Sequence, residues 1–191
     1  MRLRSRHPPY YQGITPQPNL EIAMLRDNIE LYTDGACKGN PGNGGWGVLI
    51  KYPDKDYIQL YGGEWDTTNN RMELLAAIKG MESIADTLEE YSTTKDVTLT
   101  IYTDSKYLKD GISFWIRKWA KNNWRTASGQ VKNKDLWKQI LNLQSKFYRV
   151  DFYWVKGHSL SLENDQADSL ANKGYQSLFT PPLLPPNQLA A

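Results

Sequence analysis

The feature that most restricts this fold is the order in which the hydrophobic period changes along the chain. Asn28 to Asp34 alternates, with Ile29, Leu31 and Thr33 on one side and Glu30, Tyr32 and Asp34 on the other, which is the period of a strand. Gly39-Asn40-Pro41-Gly42-Asn43-Gly44-Gly45 reads as a turn, Trp46 to Tyr52 as a second strand, and Tyr57 to Tyr61, after a turn at Asp54-Lys55, as a third. From Asn70 the spacing is helical, and Leu74, Ala77, Ile78, Met81 and Ala85 form one core-facing stripe. Val97 to Asp104 predicts a buried strand, with helical stretches at Ser105 to Ala120 and Asp135 to Lys146. Val150 to Val155 predicts a fifth strand and Leu162 to Leu178 a last helix. Three strands, a helix, a strand, helices, a strand and a helix make an α/β mixed sheet with helices packed on it. No internal repeat interrupts this order.

A chain of 191 residues fits one domain and is long enough to bury a full core without disulfides or a structural metal. The single cysteine, Cys37, excludes an intramolecular disulfide and suits a reducing compartment. No run approaches the roughly 18 apolar residues of a membrane span, and the N-terminus lacks the apolar core of a secretory signal. Residues 1 to 25 carry Arg2, Arg4 and Arg6 ahead of Pro8, Pro9, Pro16 and Pro18. They predict an irregular or disordered basic tail rather than an organellar targeting helix, which the prolines oppose. The domain is expected over 26–178, followed by a Pro-rich tail over 179–191, and the location is expected to be cytoplasmic.

The acidic residues carry the chemistry. Asp34 and Asp104 each close a predicted strand in matching contexts, Leu31-Tyr32-Thr33-Asp34-Gly35 and Ile101-Tyr102-Thr103-Asp104-Ser105. Each points away from the Leu31 or Ile101 face of its strand, so adjacent strands would make the two carboxylates neighbours. Such a pair repels unless a proton or a metal lies between them. Either aspartate alone reads equally well as a capping residue; the repeated context favours a site. Glu73 stands one position before the apolar stripe, and Asp168 has the same relation to Ala167, Leu170 and Ala171 on the last helix. Their bland readings are a first-turn charge and a solvated helix face. Four oxygen ligands together would suit Mg²⁺ or Mn²⁺.

Several segments carry a family resemblance. Thr33-Asp34-Gly35-Ala36-Cys37 with Gly39-Asn40-Pro41-Gly42 resembles the first-strand motif of type 1 ribonucleases H. Thr68-Asn69-Asn70-Arg71-Met72-Glu73-Leu74 resembles that family's first helix and Thr103-Asp104-Ser105 its fourth strand. Trp154-Val155-Lys156-Gly157-His158, then Glu163-Asn164 and Asp168, resembles its last strand, loop and final helix. The likeness runs in family order from about Asn28 to Gly174. It implies a ribonuclease H-like five-stranded sheet, three antiparallel strands then two parallel, with helices on both faces. It implies that Asp34, Glu73, Asp104 and Asp168 bind two Mg²⁺ ions, with Mn²⁺ as a substitute, and that His158 assists proton transfer or product departure. The implied reaction is hydrolysis of the RNA strand of an RNA–DNA hybrid by a monomeric endonuclease, leaving 5′-phosphate and 3′-hydroxyl ends.

Residues 115 to 138 hold Trp115, Trp119, Trp124 and Trp137, four of the seven tryptophans. Arg117, Lys118, Lys121, Arg125, Lys132, Lys134 and Lys138 stand there against Asp135 alone, which is not the mixed-sign pattern of a solvated face. Core packing is the default for the Trp115/Trp119 pair; a basic protrusion with aromatic rings is the nucleic-acid reading. The segment resembles the family's basic protrusion, and Asn40, Asn69, Asn70 and Arg71 resemble residues that hold the hybrid near the scissile bond. The nucleic-acid-binding set is therefore Asn40, Asn69, Asn70, Arg71, Trp115, Lys118, Trp119, Lys121, Trp124, Arg125 and Lys132.

Three departures qualify the picture. Residues 1 to 25 are too short for the hybrid-binding domain of eukaryotic members. Lys106 stands where some members have an amide, and Cys37 reads as a packed thiol rather than a nucleophile. Gly42-Asn43-Gly44-Gly45-Trp46-Gly47 formally matches a dinucleotide fingerprint, but a strand follows it, so the glycines are assigned to a hairpin turn. Two other functions remain open at this point: a non-catalytic hybrid-binding module, which four acids at a phosphate disfavour, and the ribonuclease H domain of a reverse transcriptase or a related integrase. Without such flanking sequence, a free-standing enzyme is expected.

Overall fold

The computed structural model describes residues 28–53, 57–89, 97–157 and 161–180. Residues 1–27, the Asp54-Lys55 turn, His158 and the tail from Pro181 lie outside the described residues.

Strands β1 (Ile29–Lys38), β2 (Gly42–Lys51) and β3 (Ile58–Thr67) pair antiparallel. Helix α1 (Asn69–Glu89) follows, then β4 (Thr98–Thr103). The chain continues through α2 (Lys106–Asp110), a π-helical turn at Gly111–Trp115, and α3 (Ile116–Lys121). A small hairpin of β5 (Arg125–Thr126) and β6 (Gly129–Gln130) precedes α4 (Lys134–Gln144), β7 (Arg149–Trp154) and α5 (Leu162–Ser177). The main sheet has the order β3-β2-β1-β4-β7, and β1/β4 and β4/β7 are parallel. This is the expected mixed sheet of three antiparallel and two parallel strands.

Alternation assigns the two faces. Leu31, Val48, Ile50 and Ile101 point to the side of α1, where Leu74, Ala77, Ile78 and Met81 are fully buried and α4 adds Trp137 and Ile140. Each such aliphatic side chain contributes roughly 1.5–3 kcal/mol on leaving water. Tyr32 and Leu49 point the other way, against Ala167 of α5. Thr68 Oγ1 accepts the Arg71 N–H at 3.3 Å to start α1, and Ser161 Oγ accepts the Asn164 N–H at 3.3 Å to start α5.

Two local expectations are corrected and two local features are added. Asp34 does not end its strand: β1 runs on to Lys38 because β2 keeps pairing with it after β4 has stopped. The turn is confined to Gly39–Pro41, and Gly42, Gly44, Gly45 and Gly47 lie inside β2. A Cβ on Gly45 or Gly47 would overlap the backbone of α5 at Ala171, so these glycines serve helix-to-sheet approach rather than a hairpin turn. The helical stretch expected over 105–120 is present from Lys106 to Lys121 and carries a π-helical turn, where Gly111 lies on the Trp137 ring with a would-be Cβ 2.6 Å from Cζ2. The β5/β6 hairpin has no alternating apolar pattern, and its strands are too short to show one.

Candidate active site and nucleic-acid face

The parallel register sets Thr33 opposite Thr103, so the next residues, Asp34 and Asp104, emerge side by side. Gly35 then lets α1 close on β1. A Cβ there would overlap the Glu73 amide and come within 2.7 Å of the Met72 carbonyl carbon. Glu73 is thereby drawn in at 4% exposure, not at the edge of the helix's buried face. One ligand oxygen from each of Asp34, Glu73 and Asp104 lies within 4.8 Å of the others. Asp168, half-buried on α5, stands outside that mutual group but is near enough for its charge to act on Asp34. Its Oδ1 accepts from Asn172 Nδ2 at 3.1 Å.

Burial, then the Asp104 and Asp168 charges, push Asp34 up to about 8 despite the Gly35 N–H donated to its Oδ1 at 2.7 Å. Burial, then Asp34 and Asp104, hold Glu73 well above the usual carboxylate range. Asn69 Nδ2 donates to Glu73 Oε1 at 3.3 Å, but buried Oε2 has no hydrogen-bond partner among the described residues. An orphaned acceptor among mutually repelling acids is the arrangement a hard cation relieves. The donor set is all carboxylate oxygen, which fits Mg²⁺ or Mn²⁺ and not a soft metal.

Beyond β7 the chain at Gly157 passes against the Asp104 carboxylate, a would-be Cβ there lying 2.6 Å from Oδ2. Trp154 Nε1 donates to the Asp104 carbonyl at 2.9 Å, and Lys106 Nζ sits 5.4 Å from the Trp154 ring centroid. The Cys37 thiol donates to the Gly39 carbonyl and burial pushes it up, which keeps it protonated.

The expected nucleic-acid residues do not all share one surface. Asn40, Asn70, Trp119 and Lys132 line a cleft of about 940 Å³ between the start of α1 and the basic segment. Trp115, Lys118, Trp119 and Arg125 line an adjoining hollow of about 390 Å³. Lys121 is exposed beside them. Asn69 faces Glu73, and Arg71 is held between Glu64 and Asp135. Trp124 is corrected: at 7% exposure its ring packs in the core and is not open to a duplex. Trp119 packs in part against the core, its ring 5.5 Å from that of buried Trp137, so its spacing marked packing as well as surface. Sequence reasoning missed Gly35 and the cleft residues Thr68, Tyr107 and Asn133, for which only Thr68, as a helix-capping group, left a signal.

The ribonuclease H family model, described as RNase H, matches residues 26–176. The chain is 50% identical over 151 residues to a ribonuclease H of Legionella pneumophila (strain Lens), covering 78% of this chain and 98% of that protein. The crystal structure of LC9-RNase H1, a type 1 RNase H with the type 2 active-site motif, superposes with a TM-score of 0.67 at 29% identity, covering 78% of this chain and 72% of that one. LC11-RNase H1, solved in complex with RNA/DNA hybrid, is 21% identical, covers 80% of this chain and 99% of its own, and shares the fold with a TM-score of 0.61. A likeness that runs through both carboxylate-bearing strands and both carboxylate-bearing helices assigns the chain to the ribonuclease H family, among its type 1 members, as a hydrolase of that kind.

Proposed function

We propose that this protein is an endonuclease that hydrolyses the RNA strand of RNA–DNA hybrids, leaving 5′-phosphate and 3′-hydroxyl ends. The observation that carries the reading is the grouping of buried Asp34 and Glu73 with half-buried Asp104, together with the Glu73 oxygen that has no partner among the described residues. These three, with Asp168 beside Asp34, would hold two divalent ions, Mg²⁺ by preference and Mn²⁺ as a substitute. Such a pair, when bound, supplies an activated water and stabilises the departing 3′ oxygen.

The chain's own residues do the rest. The carboxylates fix where the scissile phosphate can sit. The cleft beside α1 and the exposed Lys118, Lys121, Arg125 and Lys132 follow the sugar–phosphate backbone, and Trp115 and the open edge of Trp119 contact sugars or bases. Recognition of 2′-hydroxyls on one strand and phosphates on the other selects the hybrid. His158 serves proton transfer or product departure. The unit over 26–178 acts as a monomer in the cytoplasm.

A non-catalytic hybrid-binding module is the second reading. Clustered buried acids oppose it, because they repel a phosphate unless cations offset them. The test is cleavage of end-labelled hybrid, double-stranded RNA and double-stranded DNA with Mg²⁺ and with excess chelator. Cutting of the RNA strand of the hybrid alone, only with Mg²⁺, is expected. Hybrid binding without cutting in Mg²⁺ or Mn²⁺ would establish the module instead.

A further inference from the structure

The Glu64 carboxylate, paired with Arg71, has no place in the chemistry above. It lies on β3 opposite Gly44, where the ladder slips: β3 uses Glu64 to Thr67 against Gly44 to Gly42 of β2. Asp66 adopts a positive φ of 49° in this bulge, and its N–H donates to Asn43 Oδ1 at 3.3 Å. Bulges beside active sites re-aim side chains, and this one lies just before the helix that carries Glu73. Glu64 Oε2 accepts from Arg71 Nε at 2.9 Å and from Thr67 Oγ1 at 3.3 Å.

Arg71 is gripped from a second side. Its Nη1 donates to Asp135 Oδ2 at 3.1 Å, while Nη2 makes no hydrogen bond among the described residues. Thr68 and Asn70 on one side, and Lys132 and Asn133 on the other, line the large cleft, so the Arg71–Asp135 pair ties together the two segments that flank it. The pairs are part-exposed, with side-chain exposures of 31% for Arg71, 35% for Glu64 and 58% for Asp135, and such pairs add little to folding stability. An acid beside a groove for a polyanion also repels the ligand. Its benefit is orientation: a guanidinium fixed through Nε keeps its Nη fork ready for a phosphate, without ordering a long side chain on binding.

We propose that Glu64 is a positioning residue that sets Arg71 for a backbone phosphate of the bound nucleic acid, with Asp135 occupying Nη1 until that phosphate arrives. The inference rests on the hybrid reading of the cleft. Its test exploits opposite signs. Removing an acid next to a polyanion site strengthens binding if only charge matters, whereas loss of Arg71 positioning weakens it. Glu64→Gln is expected to raise Kd and KM for hybrid about 2- to 10-fold, with kcat unchanged. In an Arg71→Ala background only the charge effect is left, so the same substitution is expected to cause no loss of binding. Tighter or unchanged binding by Glu64→Gln, or an equal loss in the Arg71→Ala background, overturns the proposal. Failure of the unaltered protein to bind or cut hybrid overturns the functional reading itself, and shows before any variant is made.

Discussion

Gly35 lies so close to Glu73 that a Cβ on Gly35 would overlap the Glu73 amide nitrogen, and this approach sets how near α1 comes to β1. Glu73 reaches Asp34 and Asp104 because nothing but a hydrogen separates the two backbones there. Gly35→Ala must therefore push α1 outward, at a cost of ~1–3 kcal/mol for overpacking. Lower Tm and weaker Mg²⁺ binding by calorimetry are expected together. Unchanged metal affinity in a destabilised variant would separate packing from the site.

Asp34→Asn is expected to abolish cleavage while leaving hybrid binding largely intact. It removes an ionisable carboxyl from a group of acids that raise each other's proton affinity, so the metal-free variant should melt at a higher temperature than the unaltered protein. Near-normal turnover in Mg²⁺ would remove Asp34 from the site.

The metal-free protein should lose stability as pH rises. Asp34 titrates at about 8 in the folded chain because of burial and then its acidic neighbours, against ~3.9 for an unfolded aspartate. Between those values the folded state holds a proton that the unfolded chain releases. The stabilising linkage is fully present below the unfolded value and is lost as pH climbs through the folded one, at up to about 1.4 kcal/mol per pH unit for each such proton. Melting curves in chelator from pH 5 to pH 8 should show a falling Tm, with a shallower fall in Asp34→Asn and in excess Mg²⁺. A flat profile in chelator would contradict the raised proton affinity.

On the basic segment, neutralising Lys118, Lys121 or Arg125 singly should weaken hybrid binding at low salt. The salt slope of log K should become shallower by about 1 for each phosphate that no longer meets a cation. Turnover at saturating substrate should stay constant, because these residues stand apart from the carboxylates. Salt titrations of binding decide it; an unchanged slope after two substitutions would leave the cluster as ordinary surface.

His158→Ala should slow turnover by no more than the ~10²–10⁴-fold typical of general acid–base help. It should leave Mg²⁺ affinity unaltered. Calorimetric Mg²⁺ binding alongside turnover checks this, and a loss as complete as that of Asp34→Asn would make His158 a ligand or a structural keystone.

The sequence by itself determined the order of the main elements and pointed to Asp34, Glu73 and Asp104, which the fold brings together. Alternation at Ile29 to Asp34 and Val97 to Asp104, and the helical stripe from Leu74 to Ala85, are local patterns set by which side chains leave water. The repeated Tyr-Thr-Asp context also marked Asp34 and Asp104 as partners, since parallel in-register strands place like positions side by side. Tertiary structure alone decided where elements stop and how closely they approach. β1 outruns Asp34 because β2 continues beside it. Gly45 and Gly47 are strand residues because the α5 backbone lies on them, and Trp124 is core because its ring joins the cluster that α1 and α4 build. The same holds for Glu64, whose reach to Arg71 depends on a bulge, and for Glu73, whose burial depends on Gly35. Periodicity is written in neighbouring residues, whereas a close approach is fixed by a partner distant in the chain, and only the folded packing brings that partner near.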